Sequence, residues 1–175
     1  MTKTERTQIR RKNREIKDEQ WVKNYLHIET HGVFASCVDD QAFINWNLFI
    51  YEEEENAIYF HTAGNGRTKI NIQKNPKLCF SIGKIGDIVF AKKASDFSAQ
   101  YKSVVLFGKA EIVVDENKLM SIFNKYFIKY AGKLKNGVDF VPFGLDDAKK
   151  ATLFKLNIEE WSAKMNDDKS YQDNH

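Results

Sequence analysis

Two periodicities divide the chain. Trp21, Val22, Tyr25, Leu26 and Ile28 supply one broad apolar side at helical spacing. Asp18 stands where an N-cap belongs, so a helix is predicted over 19–29. From residue 32 the period changes to two. Residues 32–38 (GVFASCV) read as a short strand, Asp39-Asp40 as a turn, and 42–51 as the second strand of a hairpin. In that strand Ala42, Ile44, Trp46, Leu48 and Ile50 make one wholly apolar face, and Phe43, Asn45, Asn47, Phe49 and Tyr51 make the other. The two asparagines between aromatics either line the polar edge of a ligand site or are hydrogen-bonded surface amides. An acidic stretch, 52–56, reads as a solvated loop before a third strand at 57–62.

That strand runs into a tight glycine-containing turn carrying Arg67, Thr68 and Lys69, and a short polar helical stretch follows and stops at Asn75-Pro76. A fourth strand covers 77–85. Residues 87–91 suit a short strand and 95–100 a turn of helix. The long strand at 102–114 puts Val104, Leu106, Gly108, Ala110, Ile112 and Val114 on its inner face. Its mid-strand Gly108 and Ala110 predict a bend or a close backbone approach. Asp115 caps a helix to about 131, with Leu119, Phe123, Tyr126, Phe127 and Tyr130 on one stripe, as core or as subunit interface. Residues 133–147 read as loop, 151–158 as the last strand. The order of short, alternating strands predicts a small antiparallel barrel with flanking helices, not a doubly wound parallel sheet.

Composition narrows the class. A chain of 175 residues with 42% hydrophobic positions is long enough for one domain with a real core. The organisation expected is a basic arm (1–17), a single domain (18–164) and a polar tail (165–175). The arm either lies in solvent or packs on a partner subunit or an anionic ligand. A net charge of +3 does not argue for nucleic acid. With no long apolar run and no apolar segment after the basic start, neither a membrane span nor a secretory signal is expected, and the reading is cytoplasmic. Cys37 and Cys79 read as small buried hydrophobes without a disulfide. His27, His31, His61 and His175 show no metal-ligand spacing, so no metal is expected.

The turn at 63–69 is the chemical focus. Cations and backbone N–H groups at a helix start suit a phosphate, and a rigid Arg fork supplies two charge-assisted hydrogen bonds at once. His61 is either an acid/base group with a pKa near neutrality or a hydrogen-bonded structural histidine.

Ordered pieces of the chain then resemble a known family. Residues 10–16 (RRKNREI), Phe60-His61-Thr62-Ala63, Gly66-Arg67, Asn75-Pro76, the 101–110 strand and residues 158–164 (IEEWSAK) resemble the pyridoxamine 5'-phosphate oxidase-like, FMN-binding split-barrel proteins. They are most similar to the branch that includes the 5-nitroimidazole resistance proteins. The resemblance implies a mainly β (α+β) fold, a six-stranded antiparallel split β-barrel with flanking helices. It implies an FMN-binding homodimer with the flavins at the subunit interface. By position, Trp46, Asn47 and Leu48 would line the flavin ring. His61 and Thr62 would lie near the ring or ribityl chain, and Arg67, Thr68 and Lys69 would hold the phosphate. Ser103 would lie on the strand passing the cofactor, and Trp161 and Lys164 would approach from the closing segment. The chain departs from the family pattern at Thr68, often Lys there, and at Trp46, where the nitroimidazole branch tends to have Pro.

The activity so implied is an FMN-dependent reduction of a small electron-poor substrate such as a nitro compound. No protein nucleophile is required, in keeping with the lack of any GxSxG or Cys/His arrangement. The alternative is a non-enzymatic module of the same barrel that holds a flavin, a deazaflavin or haem.

Overall fold

Asp18 caps the first helix as its position requires. Its carboxylate accepts the N–H groups of Gln20 and Trp21, and helix α1 runs Glu19–Ile28. The computed structural model describes residues 4–168. Its strands are β1 (Glu15–Ile16), β2 (His31–Val38), β3 (Gln41–Leu48), β4 (Ile50–Glu52), β5 (Ala57–Ala63), β6 (Lys77–Val89), β7 (Ser98–Ile112) and β8 (Ala151–Asn166). The other helices are α2 (Arg67–Lys74), α3 (Glu116–Ala131) and α4 (Leu145–Ala148). All strand pairs are antiparallel, in the order β3-β2-β6-β7-β8-β5-β4, with β1 on the far end of β8. The sheet curls without closing, as a split barrel does. It has eight strands rather than six, because two short segments pair separately.

One of those segments comes from the predicted strand 42–51. It breaks at Phe49, which turns fully into the core. The Tyr130 hydroxyl takes up the backbone there: it accepts from Phe49 N (3.0 Å) and lies 2.7 Å from Phe49 O. An α3 side chain thus replaces a ladder partner, and β4 restarts at Ile50.

The core fills in two parts. Phe34, Phe60, Phe80 and Phe154 stack in series beneath α1, with centroids 3.8 Å (Phe34–Phe60), 4.5 Å (Phe34–Phe80) and 5.0 Å (Phe60–Phe154) apart. The α3 stripe packs on Tyr59, Leu153 and Ile50 to make the second part, so it is core. Close backbone approaches let the sheet fold over. A Cβ on Gly108 would lie 1.9 Å from the Asn157 carbonyl oxygen, and the β7–β8 register shifts between Phe107 and Gly108. This is the approach expected from the small residues in mid-strand.

Several expectations are corrected. Residues 86–100 hold no solitary strand: β6 and β7 extend into one hairpin, irregular between Ile85 and Ile88, with a single turn of helix at Ala94–Asp96. Val114 is 86% exposed and lies past the end of β7. The 133–147 loop ends in α4, which buries Ala148. Strand β8 continues through Asn166 because β7 pairs with it as far as Tyr101, so Met165 and Asn166 are not tail. Cys37 is exposed and Cys79 half-buried, both free, because they lie on the outward face of the sheet. The basic arm, as far as it is described, packs on its own barrel: Thr7 and Ile9 are buried, Arg6 pairs with Glu160, and Arg14 bonds Asn166 and Asp168. Lys3 of that arm and residues 169–175 of the tail, His175 among them, lie outside the described residues.

The acidic turn is not simply solvated. Glu52 pairs with Lys125, Glu53 with Lys23 and His27, and Glu55 with Lys118 and Lys155 (2.8 Å). Burial pushes the Glu55 carboxyl up, but hydrogen bonds from Lys118, Lys155 and Tyr59 outweigh it and hold the pKa at about 2. A carboxyl depressed in the folded state contributes stability that is present above its unfolded pKa, roughly 4.3, and is lost as pH falls toward the folded value. Thermal melts between pH 7 and pH 2.5 should therefore fall steeply below about pH 4.5 for the native chain. Glu55→Gln should start lower at pH 7 and fall less; parallel curves would exclude this role for Glu55.

Candidate functional site

The β3 alternation has an inverted use. Its apolar set points outward: Ile44 is 61%, Trp46 64% and Leu48 45% exposed. Phe43, Asn45 and Asn47 are half-buried and face the side where α2 lies. The α2 side is polar because it must meet a helix start rather than a core.

Gly66 precedes α2, and no side chain caps the first turn, so its leading N–H groups remain open. Arg67 begins the helix, is exposed, and lies over the Phe43 ring with its guanidinium carbon 5.3 Å from the centroid. Among the described residues it has no acidic partner. Thr68 is buried, and its hydroxyl accepts from Asn45 Nδ2 at 3.3 Å. Lys69 is turned back: its Nζ donates to the Gly64 carbonyl at 3.0 Å, which also accepts from the Thr152 hydroxyl at 3.0 Å. Lys69 closes the turn, and Arg67 is left as its outward cation. Asn71 Nδ2 donates to Ser36 Oγ at 2.9 Å and fixes α2 on β2. A groove of about 450 Å³ runs beside the turn, between Phe43, Gln41, Gly66, Arg67 and Ile70. Nearby in β3 the Asn47 Nδ2 is buried with no hydrogen-bond partner. A buried donor left unpaired costs free energy unless a ligand or water meets it.

His61 lies on β5 between Phe123 (centroids 5.2 Å) and Tyr126 (5.0 Å) of α3. Its Nδ1 is buried without a partner, and burial pushes the imidazole pKa down. The ring is therefore neutral at neutral pH. The Tyr126 hydroxyl lies 3.1 Å from the carbonyls of both Leu48 and Tyr59, so it ties the end of β3 to β5. Thr62 donates only to the Ala63 carbonyl (3.1 Å).

The remaining expected residues lie elsewhere on the sheet. Ser103 sits between Gly83 and Lys164 in register, on the outward face of β7 and β8. Lys164 is exposed, while Trp161 packs against the main core. A single chain therefore gathers Arg67 and Thr68 with Asn45 near the start of α2, and Ser103 with Lys164 far along the sheet order. Trp46 and Leu48 stand on the opposite face of β3 from Asn47. Sequence reasoning missed Phe43 as the platform under Arg67; its place on the asparagine face was the available signal. It also missed Lys129, which burial pulls down to about 8 while its Nζ donates to the Phe49 carbonyl at 3.3 Å.

Among the described residues no three His, Cys, Asp or Glu side chains gather as a metal set, and no helix is long and apolar enough to cross a membrane.

The comparisons with known proteins agree with this architecture. The family model described as pyridoxamine 5'-phosphate oxidase matches residues 18–165. Among solved structures, the flavocytochrome Anf3 of Azotobacter vinelandii superposes with a TM-score of 0.81 at 20% identity, over 95% of this chain and 76% of that one. The FAD and heme binding protein of Mycobacterium smegmatis gives 0.74 at 14%, over 90% and 75%. A candidate 5-nitroimidazole antibiotic resistance protein of Bacteroides thetaiotaomicron gives 0.66 at 16%, over 86% and 85%. At these identities the likeness is one of fold. No curated protein matches the sequence.

Proposed function

Because this chain belongs to the pyridoxamine 5'-phosphate oxidase family, we propose that it is a flavoprotein that holds FMN between two copies of itself and reduces a small electron-poor substrate, such as a nitro compound. The observation that carries this reading is the open start of α2, with uncapped N–H groups and an Arg67 that has no acidic partner among the described residues. A dianionic phosphate answers both. The unpaired Asn47 Nδ2 in the adjacent strand answers to a polar ring edge. That the solved neighbours include a flavocytochrome and an FAD and heme binding protein adds support for a flavin.

The dispersal of the remaining residues supports two copies. Ser103 and Lys164 lie on the outward face of β7 and β8, whereas Arg67 stands by the α2 side of β3, and a second chain brings its own set to the turn. The outward face of β3, continued by Val33 and Ala35 of β2, Cys79 of β6 and Val105 and Phe107 of β7, is apolar and incompletely covered. It is the surface on which the second copy packs.

When bound, the flavin ring supplies the hydride or electron transfer. The chain binds and orients. Arg67 and the first turn of α2 anchor the phosphate, with Thr68 held in place by Asn45. Lys164 of the second copy supplies positive charge, which favours an electron-rich ring. His61, neutral and confined by two aromatic rings, shapes the site rather than moving a proton.

The test is an absorbance spectrum of freshly purified protein, followed by flavin titration. Paired bands in the blue and near ultraviolet, bleached by dithionite, are expected. Arg67→Ala should weaken FMN binding by about 1.5–3 kcal/mol, the usual worth of a hydrogen bond to a charged group. A colourless protein that also fails to bind added FMN overturns the reading. An intense single Soret band replaces it with a haem-binding module.

A further inference from the structure

The core face of the sheet ends on a row of charge. Ile82, Val104 and Ala163 lie side by side across β6, β7 and β8 and are buried. The next row on that face is Lys84, Lys102 and Met165. Apolar residues there would extend the core. Two ammonium groups directly across a strand pair repel instead, and neither lysine has an acidic partner among the described residues. Such a break with the local rule belongs to positions kept for function rather than for stability.

The row opens into a cavity of about 220 Å³, bounded further by Gly86, Gln100 and Asp167. It shares no lining residue with the groove beside α2. The two lysines and Met165 face away from the surface assigned above to the second copy. We propose that this end of the core binds a small monocarboxylate with a short aliphatic body.

Charge selects the headgroup. Lys102 holds its ammonium over the Tyr25 ring of α1, 4.5 Å from the centroid, and Lys84 beside it is exposed. The two oxygens of a carboxylate can bridge this pair with charge-assisted hydrogen bonds. Asp167 is the one carboxylate among the lining residues. Its neighbour Asp168 is taken by Arg14 at 2.6 Å. Two lysines against one aspartate leave a single net positive charge, which a monoanion neutralises and a dianion exceeds.

Size and wall select the body. The cavity is smaller than the roughly 300 Å³ at which sites for drug-sized ligands begin. Its apolar wall is the unbranched Met165 side chain with the lysine methylenes, which adapt to a flexible chain. The rest of the wall is held in place. Gln100 lies across Gly86, where a Cβ would stand 3.1 Å from the Gln100 Cβ, and Gln100 Nε2 donates to the Asp168 carbonyl at 3.1 Å. Asn166 Nδ2 donates to the Ala99 carbonyl at 2.7 Å and fixes the end of β8 on β7. Little ordering entropy is therefore lost when a ligand enters.

Hexanoate, titrated by calorimetry into the full-length protein as purified, tests this. Saturable binding at one site per chain is expected. Hexanol and inorganic phosphate should be much weaker, since each lacks one half of the ligand. K84M/K102M keeps the stems and removes both charges. It should lower hexanoate affinity roughly tenfold or more, the scale of a lost charge-assisted hydrogen bond, and raise the melting temperature by extending the core. Met165→Trp fills the cavity without changing charge and should abolish hexanoate binding. Asp167→Asn should strengthen succinate, a dianion, more than hexanoate. Arg67→Ala should leave hexanoate affinity unchanged. No saturable binding, or binding indifferent to K84M/K102M and to Met165→Trp, overturns the site. A melting temperature lowered in K84M/K102M shows the lysines to be structural and overturns it too. Hexanoate binding lost in Arg67→Ala places the ligand in the α2 groove and overturns it equally. The flavin reading fails separately, on a protein that takes up no flavin, whatever hexanoate does.

Discussion

Gly108→Val is expected to leave no cooperatively folded protein. The position lies in β7, between β6 and β8, at the bulge where the β7–β8 register shifts. An added Cβ would stand 1.9 Å from the Asn157 oxygen and 2.9 Å from its carbonyl carbon. Both are backbone atoms, so no side chain can turn aside. Relief requires the two strands to part by more than an ångström over several residues. Each ladder hydrogen bond lost there costs about 1 kcal/mol, and overpacking adds about 1–3 kcal/mol. The Phe60–Phe154 stack and the second core both hang on β8. Domains of this size are stable by only about 5–15 kcal/mol, so the sum is a large share of the whole. Gly108→Ala isolates the Cβ itself and should lower the melting temperature by roughly 10 °C or more, at the several degrees per kcal/mol usual for small domains. Gly66→Ala is the control, since nothing lies within 4 Å of its Cβ and its φ of 165° is ordinary extended backbone. A Gly108→Ala melt indistinguishable from the control would show that the two strands can part cheaply.

The second large effect is on assembly. Ile44→Lys with Trp46→Lys is expected to convert the proposed flavin-holding dimer into a folded monomer without flavin. In the single chain both side chains are mostly exposed, at 61% and 64%, so the substitutions touch little and should change monomer stability by less than about 0.5 kcal/mol each. In an interface the same two ammonium groups would be buried without partners, at a cost of several kcal/mol. A dissociation constant raised at least a hundredfold, about 2.7 kcal/mol, is the expected reading by sedimentation equilibrium. The far-ultraviolet circular dichroism spectrum should be unchanged, and the flavin should leave with the partner. A native chain that sediments as a monomer while retaining flavin would end the two-copy proposal.

The distance between sequence and structure is instructive at particular residues. The Asp18 and Asp115 caps, the Asp39-Asp40 turn and the α3 stripe were legible because each rests on local rules: a side chain reaching its own backbone, or a period matched to a helix. Both aspartates of the turn have positive φ, 52° and 57°, as a tight hairpin demands. Gly108 was legible too, because a glycine amid β-formers signals a close approach. The break at Phe49 was not, since its backbone is satisfied by Tyr130, 81 positions away. The outward aim of Trp46 was not legible either. Alternation says which residues share a face, but not which face meets the core. The turn before α2 could be located from Gly66 and Arg67, whereas the inward use of Lys69 depends on where the Gly64 carbonyl comes to rest. The sequence left the arm of Arg10 and Arg11 between solvent, a partner subunit and an anionic ligand, because the groove that gathers them with Lys164 exists only after β8 has joined β7.

Strand β8 has a further consequence, one of timing. It is the last described strand to leave the ribosome, yet it lies in the middle of the sheet and joins β7 to β5, with β1 on its far end. Until Ala151–Asn166 has been made, β2, β3, β6 and β7 can pair with one another, and β4 with β5, but the two groups share no strand. The nascent chain therefore waits with Phe60 uncovered by Phe154 and with two open strand edges. Closure comes late and over long sequence separations, the slow regime of folding. The interval between translating β7 and translating β8 is when this chain is most exposed to wrong pairing.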